Sequence, residues 1–324
     1  MKAKCTIVLA ALLAAVSAGA GERPCALKKA LIAPRLDAAL VERLKACGYD
    51  GVELNDKKAT VEEARAARAL AEASSLRIHS FMGGWFRFND PERYAAEVAL
   101  AAHSIRLAAA YGADVMLIVP YQVVNKSVKG PAPADYEPEF DPKTLVMTKC
   151  VKGDNAPYAD YIAEQNNATE CAKRAIRELL PVAAEHGVTL ALENVGGHWF
   201  WAKPAFARAM VKYFASPYVK YYLDLGNNVL FCPPEEWLDA MPEEIVRLHV
   251  KDHTALPDGT KKAAPLGLGS IDYKAIRDAM ARHGYNGWVS IETNKRTDAE
   301  HAAFMDDFFK GNVPARGYLF GRRP

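Results

Sequence analysis

The chain has 324 residues, half of them hydrophobic and a quarter charged, with a formal net charge of +2. This is the composition of an ordinary globular protein, long enough for one α/β barrel of about 250 residues plus insertions, so no second domain is required. With Lys2 and Lys4 set aside at the extreme amino end, the remainder is neutral and has no basic tract, which argues against a nucleic-acid partner.

Lys2 and Lys4 precede an uncharged run from Cys5 to Ala20 that closes on Ala18-Gly19-Ala20. A basic start, a short apolar middle and a small-residue end predict a secretory signal peptide over residues 1–20 and a periplasmic or secreted mature chain, residues 21–324. The run is too short to span a bilayer comfortably, and Cys25 follows Glu22-Arg23-Pro24 rather than a lipobox, so no stable membrane anchor is expected. Five cysteines follow the leader: Cys25, Cys47, Cys150, Cys171 and Cys232. None is in a Cys-x-x-Cys pair. They read mainly as packing residues, with Cys150 to Cys171 or Cys25 to Cys47 as the disulfide alternatives.

Residues 28–33 are predicted as a first strand, followed by a helix over 37–46. A short strand over 51–54 precedes an Ala-rich helix over 61–73, and a strand over 76–81 precedes a long helix over 91–111. A fourth strand covers 114–119. Apolar, β-branched runs bounded by Gly, Pro or Asp are the pattern of fully buried parallel strands. The stretch 121–160, rich in Pro, Lys and Asp, is an insertion leaving the rim where substrate would enter, and a loop of that length is either functional or peripheral. Four further strands are predicted over 188–193, 219–224, 245–249 and 288–292, with helical sequence between them. Eight alternations close a single (β/α)8 TIM barrel.

The last four runs end in Glu193, Asp224, His249 and Glu292. In a parallel barrel the ends of neighbouring strands share one rim, where catalytic groups gather. Three carboxylates and an imidazole on one arc repel each other unless a cation lies between them, so a divalent metal ion is expected. Oxygen-rich ligation with one imidazole suits manganese first, with magnesium, cobalt or zinc also possible. Such an ion neutralises the charge that develops when a proton is removed beside a carbonyl to form an ene-diolate, and two carboxylates can remove and return that proton. Glu193 and Glu292, at the two ends of the arc, are the candidates for this.

The fragments Gly48-Tyr49-Asp50-Gly51-Val52-Glu53, Leu192-Glu193-Asn194, Asp224-Leu225-Gly226-Asn227, His249-Val250-Lys251-Asp252, Gly267-Leu268-Gly269-Ser270-Ile271-Asp272 and Ile291-Glu292 occur in this order. With them the chain resembles the xylose-isomerase-like barrel superfamily, in its sugar phosphate isomerase/epimerase branch. The resemblance implies that Glu193, Asp224, His249 and Glu292 bind one catalytic divalent cation, that the two glutamates exchange protons, and that Glu53, His79 and Lys251 face substrate. His79 is alternatively a metal ligand or a structural histidine, and Lys251 alternatively a rim partner of Asp252. His198 and Trp199, in the loop after Glu193, offer a polar contact and a flat wall for a sugar ring, and Trp85 and Phe86 offer the same from the loop after Gly83-Gly84. Asn227, a candidate substrate contact, stands where epimerases of the family often place a histidine. The Gly267 to Asp272 turn reads as the entry to a helix capped by Asp272, with a phosphate cradle as the alternative.

Export favours an unphosphorylated sugar or keto-sugar, because phosphorylated sugars are kept in the cytoplasm. The expected activity is therefore an exported, metal-dependent sugar isomerase or epimerase, acting on a small carbohydrate. The alternatives are a lyase or hydratase of 3-keto-sugars or glycosides, and a non-catalytic carbohydrate-binding barrel. A nuclease is disfavoured by the lack of basic surface and of additional histidines. A homo-oligomer is left open.

Overall fold

Every residue of the run Val115–Val119 is buried, so this strand needs cover on both faces, as a parallel barrel wrapped in helices provides. The computed structural model describes residues 26–121, 128–195, 202–293 and 295–320. In chain order the first half contains β1 (Lys28–Ala33), α1 (Ala38–Ala46), β2 (Gly51–Leu54), α2 (Val61–Ala73), β3 (Arg77–Trp85), α3 (Tyr94–Tyr111) and β4 (Val115–Val119). The short strands β5 (Glu139–Phe140) and β6 (Met147–Lys149) lie within the insertion, before α4 (Ala159–His186). There follow β7 (Thr189–Glu193), α5 (Pro204–Tyr213), β8 (Val219–Asp224), α6 (Pro234–Ala240), β9 (Ile245–Val250), β10 (Asp252–Ala255), β11 (Lys261–Ala264), α7 (Tyr273–His283), β12 (Trp288–Ile291) and α8 (Asp298–Lys310). The sheet closes in the order β1-β12-β9-β8-β7-β4-β3-β2, with β5-β6 and β10-β11 as separate antiparallel pairs. The expected (β/α)8 barrel therefore forms.

Local chemistry sets the helix starts. Asp37 Oδ1 accepts the Leu40 amide and starts α1, while Thr60 with Glu63 and Thr297 with Glu300 form reciprocal capping boxes at α2 and α8. Alternation along β4 divides two apolar layers. Met116 and Ile118 join the core between sheet and helices, whereas Val115, Leu117 and Val119 join Ala191, Val195 and Tyr222 in a second cluster. No described helix is long and apolar enough to cross a membrane.

Three local expectations are corrected. First, β3 runs on to Trp85 through Gly83 and Gly84 instead of ending near Phe81. The register shifts between Met82 and Gly84, and a Cβ on Gly83 would lie 2.9 Å from the Leu117 carbonyl oxygen, so this glycine permits a close strand approach rather than a turn. Second, Phe86 is fully buried and stacks on Phe88, which removes it as a wall for a sugar ring; Trp85 keeps more than a third of its surface exposed. Third, Cys150 and Cys171 are both free, as is Cys47. Cys150 is buried with Tyr136, Met147, Tyr161, Ala202 and Phe231, while Cys171 packs on the main core, so the two thiols belong to different apolar clusters. Cys25 lies outside the described residues.

Aromatic packing also holds the described part of the insertion. Tyr136 meets Tyr161 and Phe231 edge-on, which seats residues around β5 and β6 on the start of α4 and on the loop that follows β8.

Candidate metal centre

Parallel register places Asp224 level with His249, and His249 level with Ser290. Because side chains repeat every second residue along a strand, Tyr222 and Asp224, His249 and Lys251, and Ser290 and Glu292 share the same face as Glu193. The four expected ligands converge: one ligand-capable atom from each of Glu193, Asp224, His249 and Glu292 falls within 4.8 Å of the others. His249 Nδ1 lies 3.2 Å from both Glu193 Oε1 and Glu292 Oε2. Glu292 is the first residue beyond β12, and its amide donates to the Val250 carbonyl, which continues the β-type pairing to the ligand itself.

The fragments that looked like separate motifs are bonded to one another. Asn194 Oδ1 accepts the Asp224 amide at 2.8 Å, and Asn194 Nδ2 donates to the Asp224 carbonyl at 2.7 Å. Asp224 Oδ1 in turn accepts the amides of Gly226 and Asn227, while Asn227 Nδ2 donates to the Asn194 carbonyl. One carboxylate oxygen of Asp224 is thus tied down and Oδ2 is left for the cluster. A Cβ on Gly226 would lie 2.5 Å from Lys251 Cγ, so the glycine makes room for Lys251 to reach the site. Lys251 Nζ stands 3.2 Å from Asp224 Oδ2 and 2.9 Å from Glu292 Oε2, which excludes Asp252 as its principal partner. Asp252 instead accepts the amides of Gly267 and Gly269, and Asp272 caps α7 by accepting the Ala275 amide. The glycine turn therefore spends its N–H groups on a resident carboxylate, and the phosphate-cradle alternative is discarded.

Burial pushes Glu193 up to about 7 and Asp224 up to about 6, against the opposing influence of His249 and Lys251 respectively. Burial also acts on Glu292, yet its carboxyl is held well below the ordinary range by His249 and Lys251. His249 is raised despite burial, because Tyr222, Glu53, Glu193 and Glu292 surround it. Asp224 Oδ2 and Glu292 Oε2 are buried without an aligned hydrogen-bond donor. Lys251 offsets their charge without an aligned hydrogen bond, and three carboxylates with one imidazole form a donor set that fits a divalent cation.

Other expected site residues are placed differently. Glu53 is fully buried, with Oε2 accepting the Tyr222 hydroxyl at 2.6 Å and lying 2.9 Å from His249 Nε2. His79, also fully buried, stacks on Trp288 at 4.5 Å and approaches Ser290 Oγ at 2.9 Å. Neither belongs to the four-residue cluster. His198 and Trp199 lie outside the described residues. Sequence reading missed Tyr222 and Ser290, although each sits two residues before a ligand and so on the same strand face. It also missed Lys261 on β11, whose Nζ donates to the carbonyls of Gly226 and Asn227; no short-range pattern marks that residue.

A profile of the xylose isomerase-like TIM barrel family matches residues 41–308. The chain belongs to this family. No protein of curated function matches it. Among solved structures, this family member is similar to a 3-keto-D-glucoside 4-epimerase from E. coli, at 16% identity and a TM-score of 0.63, over 89% of this chain and 99% of the other. It is similar at the same identity and TM-score to a mannonate dehydratase from Streptococcus suis serotype 2, over 92% and 99%. A xylose isomerase-like TIM barrel protein from Mycobacterium smegmatis, solved in complex with magnesium, aligns at 19% identity and a TM-score of 0.59, over 91% and 98%. At these identities the likeness is one of fold.

Proposed function

We propose that this member of the xylose isomerase-like family is an exported, divalent-metal-dependent sugar isomerase or epimerase. It removes a proton beside the carbonyl of an unphosphorylated sugar or keto-sugar. The observation that carries this is a buried Glu193 and a partly exposed Glu292, both 3.2 Å from His249 Nδ1, whose environments push their proton affinities apart. Separated affinities within one site divide acid and base roles. Burial raises Glu193 in the metal-free site, a bound cation would oppose that rise, and the balance of the two suits it to exchanging a proton. Glu292, kept ionised beside Lys251, is the proposed second carrier.

Glu193, Asp224, His249 and Glu292 would hold the ion, with manganese the first choice, and it would supply electrostatic stabilisation to charge developing on substrate oxygens. Lys251 brings a second positive group to the same place. Asn227, bonded to Asn194, is better placed to brace the Asp224 loop than to reach substrate. Trp85, His198 and Trp199 are proposed as the wall of the sugar site. The basic-apolar leader supports export and hence an unphosphorylated substrate. Amino-terminal sequencing should find a mature chain beginning near Gly21; a retained Met1 on cytoplasmic protein would restore phosphorylated sugars.

The decisive experiment uses manganese-loaded protein in D₂O with a panel of unphosphorylated ketoses, aldoses and 3-keto-glucosides. Deuterium should appear on the carbon next to the carbonyl, with product mass otherwise unchanged. A second reading, a lyase or hydratase, draws on Lys251 Nζ at 2.9 Å from Glu292, an acid beside a base as elimination of a hydroxyl requires. A product lighter or heavier by water would select it. Absence of any metal-dependent turnover, with sugar bound, would leave the carbohydrate-binding barrel.

A further inference from the structure

Beneath the four-residue cluster lies a chain of buried polar groups that joins the two halves of the barrel. Glu53 is on β2, Tyr222 on β8, Ser290 on β12 and His79 on β3, and all four residues are fully buried. Their hydrogen bonds can be given a direction. As a carboxylate, Glu53 only accepts, so Oε2 takes the Tyr222 hydroxyl proton at 2.6 Å and the His249 Nε2 proton at 2.9 Å. With its proton spent on Glu53, Tyr222 can only accept from Ser290 at 3.3 Å. Ser290, having donated to Tyr222, accepts from His79 Nε2 at 2.9 Å. Burial, then the nearby Arg247, holds His79 well below the ordinary imidazole range, so it carries a single proton. That proton sits on Nε2, in agreement with a His79 Nδ1 that has no partner. Every donor points toward Glu53.

The consequence falls on His249. With Nε2 facing Glu53 and Nδ1 facing Glu193 and Glu292, the two ring edges are assigned different partners. A cation can take only an unprotonated ring nitrogen, and the partner of the other nitrogen decides which one that is. Building on the metal centre described above, we propose that Glu53 is a positioning residue that turns His249 Nδ1 toward the cation. Tyr222, Ser290 and His79 form the one-way chain that holds Glu53 in place. On this assignment Glu53 and His79 act from behind the ligand shell instead of facing substrate.

The test compares wild type, Glu53→Gln and Tyr222→Phe in manganese binding by calorimetry and electron paramagnetic resonance. Long-range ¹H–¹⁵N spectra of the His249 ring are recorded on zinc-loaded protein, and far-UV circular dichroism checks that each variant is folded. Glu53→Gln should weaken manganese binding about 10- to 100-fold, the usual range for a partner of a ligating histidine, and should move the ring proton away from Nε2. Tyr222→Phe should give a smaller loss in the same direction, and it decides the matter if Glu53→Gln fails to fold. Wild type that binds manganese, with folded variants that bind equally well and keep the Nε2 proton, would overturn the chain alone. Wild type that binds no divalent ion would overturn the metal centre as well.

Discussion

Strands β1 to β4 and strands β7, β8, β9 and β12 form two contiguous arcs of one barrel. Both arcs repeat the same unit of strand, loop and helix. In the first arc the strand ends are filled by groups such as Leu54 and Val119, both buried, and stability rests on apolar packing. In the second arc the corresponding positions carry Glu193, Asp224, His249 and Glu292, and neighbouring charges offset the mutual repulsion. The repeating unit supplies a place on the rim, and the residue occupying that place determines whether the arc supplies cohesion or chemistry. The polar groups of the first arc that do matter, Glu53 and His79, reach the second arc through the barrel interior.

Removal of the proposed proton carrier from the second arc has the largest expected effect. Glu193→Gln should lower turnover by about 10² to 10⁴-fold, the usual contribution of general acid–base catalysis, and should abolish deuterium wash-in. Manganese occupancy measured beside the rate separates lost proton transfer from lost metal. In the first arc, Ile118→Ala should cost about 2 to 5 kcal/mol of stability, as large-to-small changes in cores do. Manganese affinity of the folded fraction should be unchanged, and a fall in that affinity would break the division between the arcs.

Asn194→Ala tests the boundary between cohesion and chemistry, because its amide both braces a strand end and aims a ligand. Loss of its reciprocal bonds to Asp224 should weaken manganese binding about tenfold and lower stability in excess chelator by about 1 to 3 kcal/mol. The smallest effect is one of pH. In metal-free protein, Glu193 near 7, Asp224 near 6 and a raised His249 all hold protons that the unfolded chain releases at lower pH. Below about 6.5 the depressed His79, His253 and His301 act in the opposite sense, so the native excess of protons from Glu193 and His249 dominates only above that, and stability falls as pH rises from about 7 to 8. Thermal melts in chelator should show that fall, and saturating manganese should reduce it. A metal-free melting temperature that climbs over the same range would refute the charge distribution described for the second arc.

Legibility followed the range of the forces involved. Strand ends and the candidate ligands on them were readable because a buried strand shows as a continuous apolar run and its last polar residue stands out, as at Glu193 and Asp224. The extension of β3 was hidden because Gly83 and Gly84 locally resemble a turn, and only the neighbouring β4 backbone makes a strand favourable there. Phe86 looked like a surface aromatic because its partner Phe88 becomes visible only once the chain turns inward. The Cys150–Cys171 alternative failed because proximity in sequence does not determine which apolar cluster a thiol enters.

The sequence by itself determined the barrel, the four candidate ligands and the helix caps, since each depends on periodicity or on contacts within a few residues. Tertiary structure alone decided that Asn194 braces Asp224, that Asp252 fills the glycine turn, that Lys251 meets two carboxylates of the candidate cluster, and that Glu53 meets His249. Those pairings join residues 15 to 196 positions apart. They are set by strand register and barrel closure, which bring distant side chains to hydrogen-bonding distance with no trace in local pattern.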